Sequence, residues 1–206
     1  MLTSQTEEGV SGINGVEWDA VELPSQFLEN FAWEHEIVKS ISAHVETGEQ
    51  LPDELFDKMI AAKNYEAGAF CVRQVEFALF DMLLHSAFDP KTDSVQALLE
   101  SVRREVAVVF PPAWNRFPQS FSHIFAGGYG AGYYSYKWAE VLSADCFSAF
   151  EEEGVLNPET GRRYLKEILE RGSSRDAIDN FVAFRGRKPE LDPLLRLSGI
   201  IESQKH

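Results

Sequence analysis

Residues 65–88, YEAGAFCVRQVEFALFDMLLHSAF, are the most apolar stretch of the chain and decide its fold class. Phe70, Val72, Val75, Phe77, Leu79, Phe80, Leu83 and Leu84 cover more than one face of a helix. That pattern predicts a helix buried on most sides. Pro90 stops it, and a second helix is predicted from about Ser94 to Val109 on the spacing of Val95, Leu98, Leu99, Val102 and Val106. Pro111-Pro112 closes that one. Upstream, Pro52-Asp53-Glu54 opens another helix with its acids at the positive end of the dipole.

Further out the helical pattern persists. Asp19 to Val45 reads as a helix with Phe27, Phe31, Ile37, Ile41 and Val45 on its apolar face, Pro24 near its first turn and Gly48 after its end. A Gly- and Tyr-rich loop, Ala126 to Gly132, feeds a helix from about Ala131 to Glu153 with Trp138, Val141, Leu142 and Phe150 as its stripe. Asn157-Pro158-Glu159 supplies a cap, a Pro at the first position and an early acid. Two or three shorter helices follow, with Gly172, Gly186 and Gly199 as stops. The first twenty residues read as loop, and Gly9, Gly12 and Gly15 with their β-branched neighbours suit a short extended or hairpin segment. The fold class is all-α, with one small β element near the start.

Composition narrows the functions. The chain has 206 residues, read as one body, with 44% apolar and 25% charged residues and a 12% aromatic share. A net charge of -14 argues against nucleic acid, which needs clustered Lys and Arg, and against an anionic membrane surface. No apolar run approaches the ~20 residues that span a bilayer. The N-terminal residues show no basic region followed by an apolar stretch, so a cytoplasmic location is expected. Cys71 and Cys146 sit within apolar helical patterns and read as two buried thiols.

Two groups of residues could carry chemistry. In DAVELPSQ, residues 19–26, Asp19 and Glu22 stand at i and i+3 on one helical face. Glu22 lies among apolar residues at a helix start, so it either faces the dipole or needs a cation, donors or a metal. The second group is residues 121–136, FSHIFAGGYGAGYYSY, with four phenols and one imidazole on a loop that enters a helix. Phenol O–H and imidazole N–H are neutral donors suited to an oxyanion in a dry site. The glycines would make the loop mobile and let its backbone approach a ligand. Simple packing of the aromatics in a Gly-rich turn is the alternative. The segment lacks the third Gly of a dinucleotide-binding turn and the Lys-Ser/Thr ending of a phosphate loop.

The five histidines, His35, His44, His85, His123 and His206, contain no pair at i and i+4 to face a metal from one helix. His35-Glu36 begins like such a motif, but position 39 is Lys.

The chain resembles the C-terminal portion of the thimet-oligopeptidase family of zinc metallopeptidases. The resemblance is carried by Gly9-Val10-Ser11-Gly12, by DAVELPSQFLEN at 19–30, by FPQSFSHIFAGGYGAGYYSYKWAE at 117–140, by Phe147 to Gly154 and by the closing FRGRKPELDPLL. It runs from end to end, so residues 1–206 are expected to be the C-terminal part of a zincin-like catalytic domain. That family is helical, with a deep channel for short peptides, and it binds zinc through two His of an HExxH motif and a downstream Glu. By resemblance Glu22 is that Glu, with Asp19 orienting a ligand. His123, Tyr133 and Tyr136 match residues that stabilise the tetrahedral intermediate, and Tyr129, Gly127 and Gly128 lie in the same substrate-binding loop. HExxH is absent, and Met1-Leu2-Thr3 looks like the residues that directly follow it.

The resemblance implies a zinc metalloendopeptidase of short peptides, here as a fragment inactive alone. A separate N-terminal part would be its partner and would supply the histidines. A non-catalytic helical module that binds peptides or a protein is the rival reading.

Overall fold

The structure is a computed structural model that describes residues 2–202. Among these every regular element is helical, and no strand is present. The all-α expectation therefore holds, and the small β element is corrected. Where extended chain was expected, a 3₁₀ turn at Glu8–Val10 leads into successive tight turns, with Asn14 N–H donating to Ser11 O and Val16 N–H to Ile13 O. Gly12 and Gly15 take positive φ there, so the backbone curls onto itself instead of offering a ladder.

The chain divides into two compact units. One is built from the residues up to Tyr65 together with those from Trp138 onward, and the other is Glu66–Lys137.

In the first unit the helix expected over 19–45 is three helices: α1 (Trp18–Val21), α2 (Leu23–Phe31) and α3 (His35–Ile41). Pro24 is the reason for the first break. It has no N–H to give to Ala20, and Glu22 rests at φ -93, ψ 0 between α1 and α2. Beyond Phe31 the apolar spacing misleads: Ile41 is exposed and Val45 is 95% exposed. Helix α4 follows at Asp53–Lys63. The same unit holds most of α8 (Ser135–Glu153), then α9 (Pro158–Tyr164), a π-helical turn at Leu165–Leu169, α10 (Ala177–Arg185) and α11 (Asp192–Leu197). The expected cap of α9 is present, with Asn157 Oδ1 accepting from Glu159 N–H at 3.0 Å.

The core of this unit gathers Leu23 and Phe27 of α2, Cys146, Phe147 and Phe150 of α8, Tyr164 of α9 and Phe181 and Phe184 of α10. Phe27 stacks on Tyr164 with ring centroids 4.0 Å apart and meets Phe31, Phe147 and Phe150 edge-on or tilted. Such ring pairs add ~0.5–1.5 kcal/mol each beyond the area they bury. Trp138, expected on the buried stripe of α8, is exposed instead.

The two ends of this unit's sequence are stitched together. Ser4 N–H donates to Glu170 O and Ser173 N–H to Val10 O, both at 3.1 Å. Ser173 Oγ donates to Asn14 O at 2.7 Å. Glu17 Oε2 accepts from Ala177 N–H at 2.9 Å and so caps α10 from 160 positions away. Gly172 is required at this seam, because a Cβ there would lie 2.0 Å from Val10 O at a φ of +54.

The second unit contains α5 (Ala67–Ser86), α6 (Val95–Val106), a 3₁₀ turn at Phe117–Ser120 and α7 (Ser122–Phe125). Ser94 caps α6, accepting from Ala97 N–H at 3.3 Å. Phe77, Phe80, Leu99, Val102, Phe121 and Ile124 form the core. Helix α5 is not buried on most sides: Phe70 is 58% exposed, and Val75 and Met82 are exposed as well. What α5 buries is a stripe of Glu76, Phe77, Phe80 and Asp81, two acids among its four members. Glu76 is paired with the buried Arg103, whose Nε lies 2.8 Å away, and Arg103 also reaches Asn115 Oδ1.

Candidate functional site

The residues singled out in the sequence fall into two groups, one in each unit. In the second unit His123 sits in α7 and Tyr129, Tyr133 and Tyr136 follow on the loop and the start of α8. Their rings cluster. The His123 ring centroid is 6.3 Å from that of Tyr129, 5.7 Å from Tyr133 and 6.0 Å from Tyr136. Tyr129 stacks on Tyr136 at 4.9 Å, and Tyr133 is 5.1 Å from Tyr136. Phe121 closes the group from the core, 5.0 Å from Tyr133 and 6.0 Å from His123.

The loop backbone explains why these side chains converge. Ser122 O accepts from the N–H groups of both Ala126 and Gly127, at 2.7 and 2.8 Å. His123 O accepts from Tyr129 N–H at 3.0 Å. Gly127 lies so close to the α7 backbone that a Cβ would fall 2.9 Å from His123 O, and Gly128 takes a φ of +84. The reversal after α7 thus turns Tyr129 back over His123. Backbone hydrogen bonds to Ser122 O, His123 O and Tyr129 O run through this glycine-rich segment.

Two residues of α5 that the sequence did not single out, Gln74 and Asp81, hold this loop, and His85 braces Asp81. Gln74 Oε1 accepts from Tyr133 O–H at 3.1 Å. Asp81 accepts from Ala131 N–H and Tyr133 N–H, both at 2.9 Å. His85 Nδ1 lies 2.8 Å from Asp81 Oδ1 and 2.9 Å from Asp81 O, so Nδ1 carries the proton. The one available signal was an acid, Asp81, inside an apolar helical run, because a buried carboxylate needs donors.

In the first unit Glu22 ends α1 and begins α2, half-buried. Ser25 Oγ donates to Glu22 Oε2 at 2.8 Å and to Glu22 O at 3.0 Å. Glu22 and Ser25 line a cavity of about 500 Å³ whose other walls include Val16, Glu17, Leu169 and Arg175. Asp19 is half-buried on α1.

Among the described residues no group of three or more His, Cys, Asp or Glu side chains is placed to hold a metal ion. Glu22 therefore offers one carboxylate and does not by itself fit a bound zinc. His35 is engaged elsewhere, its Nε2 2.8 Å from Asp53 Oδ1. The His44 ring accepts from the backbone of Thr47. His206 lies outside the described residues. Cys71 is half-buried, not buried as expected, while Cys146 is buried, and both are free thiols. No helix among the described residues is long and apolar enough to cross a membrane.

Residues 1–200 match the profile of Peptidase family M3. The chain is 58% identical to oligopeptidase A of Escherichia coli (strain K12) over 201 residues, which is 97% of this chain and 30% of that protein. It is 47% identical to a probable cytosolic oligopeptidase A of Arabidopsis thaliana, over 98% of this chain and 29% of that protein. Identity to saccharolysin of Saccharomyces cerevisiae is 34%, over 97% of this chain and 28% of that protein. The chain thus spans somewhat under a third of the length of these relatives.

Proposed function

Because this chain belongs to peptidase family M3, we propose that it contributes half of the active site of a zinc metalloendopeptidase of the oligopeptidase A type. The proposed substrates are short peptides and the proposed setting is the cytoplasm. The observation that supports this reading most is the gathering of His123, Tyr129, Tyr133 and Tyr136 into one ring cluster on the glycine-rich loop.

The reaction is hydrolysis: water adds across the peptide C–N bond to give a carboxyl group and an amine. The carbonyl oxygen becomes an oxyanion in the tetrahedral intermediate. Phenol O–H groups and the imidazole N–H are this chain's donors to that charge, each worth ~10²–10³ in rate when lost from such a site. Tyr136 and His123 are the donors proposed for that charge. Tyr133 spends its proton on Gln74 Oε1, so it can serve only when that bond is released or the Gln74 amide turns over. Tyr129 and the Gly127-Gly128 backbone would hold the peptide.

Zinc is the cofactor of the complete site, where it supplies Lewis acidity. Glu22 is this chain's ligand to it, with Asp19 as the residue that orients a ligand. The two His ligands and the general base must come from a polypeptide bearing HExxH, since none of the 206 residues forms that motif. That polypeptide is the proposed partner.

The test is hydrolysis of an internally quenched peptide by the purified chain, with added zinc and with a chelator. The chain alone is expected to show no chelator-sensitive turnover, and an HExxH-bearing N-terminal polypeptide is expected to restore it in a mixture. Chelator-sensitive turnover by the chain alone would overturn this division of ligands. The second reading, a non-catalytic peptide-binding module, is favoured by the lack of a three-donor cluster among the described residues. Peptide binding with no turnover in the mixture would establish it.

A further inference from the structure

Ala131 is one of two non-glycine residues with positive φ among the described residues, at 58°. For alanine that region is sparsely populated and strained. Strain of this kind persists only where the surroundings impose it.

The surroundings here are a single carboxylate. Asp81 is fully buried at 0% exposure. Its Oδ1 accepts from the N–H of Ala131 itself and its Oδ2 from the N–H of Tyr133, both at 2.9 Å. Hydrogen bonds from N–H to a carboxylate are about twice as strong as neutral ones. His85 braces the carboxylate through Nδ1 at 2.8 Å. Its ring also abuts the loop, since a Cβ on Gly130 would come within 3.2 Å of His85 Nε2. Gln74, two turns earlier on α5, takes the Tyr133 phenol at 3.1 Å.

The loop's conformation is therefore imposed from α5, fifty residues upstream. We propose that Asp81 is the positioning residue of the tyrosine loop: it holds Ala131 in its strained conformation and thereby fixes where the rings of Tyr133 and Tyr136 stand. The inference rests on the peptidase reading for its functional meaning, in that a preorganised donor costs no reorganisation when charge develops. Its structural content stands without that reading.

The experiment uses the 206-residue chain and reads amide hydrogen exchange and the Ala131 and Tyr133 amide proton shifts by NMR. Asp81→Asn removes the charge and presents an amide NH₂ to the loop N–H groups. Exchange at Ala131 and Tyr133 is expected to rise about tenfold or more, with both amide protons moving upfield. The amides of α9 and α10 should keep their protection. Ala131→Gly relieves the strain, so adding it to Asp81→Asn is expected to recover part of the lost protection, which mere loss of stability would not do. Ala131→Val, with Asp81 intact, should loosen the same segment, because a β-branched residue tolerates that φ poorly. This variant carries the test if Asp81→Asn does not fold.

Unchanged exchange at Ala131 and Tyr133 in Asp81→Asn, or in Ala131→Val, would overturn the proposal. So would a double variant that is no better protected than Asp81→Asn. None of these readouts involves turnover, so an absence of peptidase activity would count against the proposed function and not against Asp81.

Discussion

The guanidinium of Arg187 grips both oxygens of the Asp145 carboxylate, Nη1 to Oδ2 and Nη2 to Oδ1, each at 2.7 Å. Asp145 lies at the centre of α8 with 0% exposure, and it also accepts from Arg185 Nε at 3.1 Å and Glu190 N–H at 2.8 Å. One buried charge thus secures the closing Arg185–Glu190 segment. Asp145→Ala leaves Arg185 with Glu152 and Ser148 but takes the main acceptor from Arg187 and the acceptor from Glu190 N–H, so the loss should approach the lower end of the ~3–5 kcal/mol of a broken buried pair. Urea denaturation of the variant should show that loss. A shift below about 1 kcal/mol would mean that the arginines find water or other acids.

Tyr164 offers the opposite case. Its ring belongs to the core, yet its hydroxyl is buried with no hydrogen-bond partner among the described residues. Burial pushes the phenol's pKa well above its ordinary value. Removing an unsatisfied polar group while keeping the ring should be neutral or stabilising, by up to ~1 kcal/mol. Tyr164→Phe is expected to melt no lower than the parent, and a clear drop in its midpoint would reveal a partner for the hydroxyl.

The two thiols should differ in reactivity. Cys146 is fully buried, and burial pushes its pKa well above the usual thiol range, with the neighbouring Asp145 carboxylate adding to the effect. Cys71 is half-buried. Iodoacetamide at neutral pH should label Cys71 in the folded chain and reach Cys146 only after unfolding. Equal labelling rates under native conditions would contradict the placement of α8.

Acid should weaken the first unit in a specific way. The hydrogen bond from Arg175 Nη2, at 2.8 Å, holds the Glu167 carboxyl below its ordinary value near 4.5, against an opposing push from burial. Glu153 is held down likewise by Arg163 and Thr160. A folded pKa below the unfolded one gives stability that is present above about pH 4.5 and is lost as pH falls through the lower folded value. Stability measured from pH 6 to pH 3 should therefore fall, and Arg175→Ala should flatten part of that slope. An unchanged slope in the variant would remove Glu167 from the account.

For the proposed chemistry the sharpest substitution is Tyr136→Phe in the chain mixed with its HExxH-bearing partner. If the phenol meets the developing oxyanion, kcat should drop ~10²–10³-fold with KM little changed. A rise in KM alone would place Tyr136 in peptide binding.

These residues also mark how far the sequence could be read. The all-α class and the Asn157 cap depend on neighbours in sequence, and there the structure agrees; His123, Tyr129, Tyr133 and Tyr136 are close in sequence, and their rings pack together. The burial of α5 did not follow from its apolarity, because which face meets the core is set by α6 and α7. Hence Phe70 is exposed while Asp81 is buried. Gln74 and Asp81 went unnoticed for the same reason. Their partners on the loop lie 59 and 50 positions away, and no local period connects them. The break at Glu22 is prefigured by Pro24, whose missing N–H outweighs the apolar spacing that runs on through it.

The seam between Val10 and Ser173 has a consequence for how the chain comes to be folded. Ser173 bonds to Asn14 across 159 positions, and Glu17 caps α10 across 160. At a synthesis rate of ~5–20 residues per second, Asn14 and Glu17 wait roughly eight to thirty seconds for these partners. Over that interval the nascent turns lack their Ser173 and Ala177 partners, whereas the Glu66–Lys137 unit is contiguous in sequence. The seating of the turns before α1 is in this sense a late event in the life of each molecule, set by topology and not by local preference.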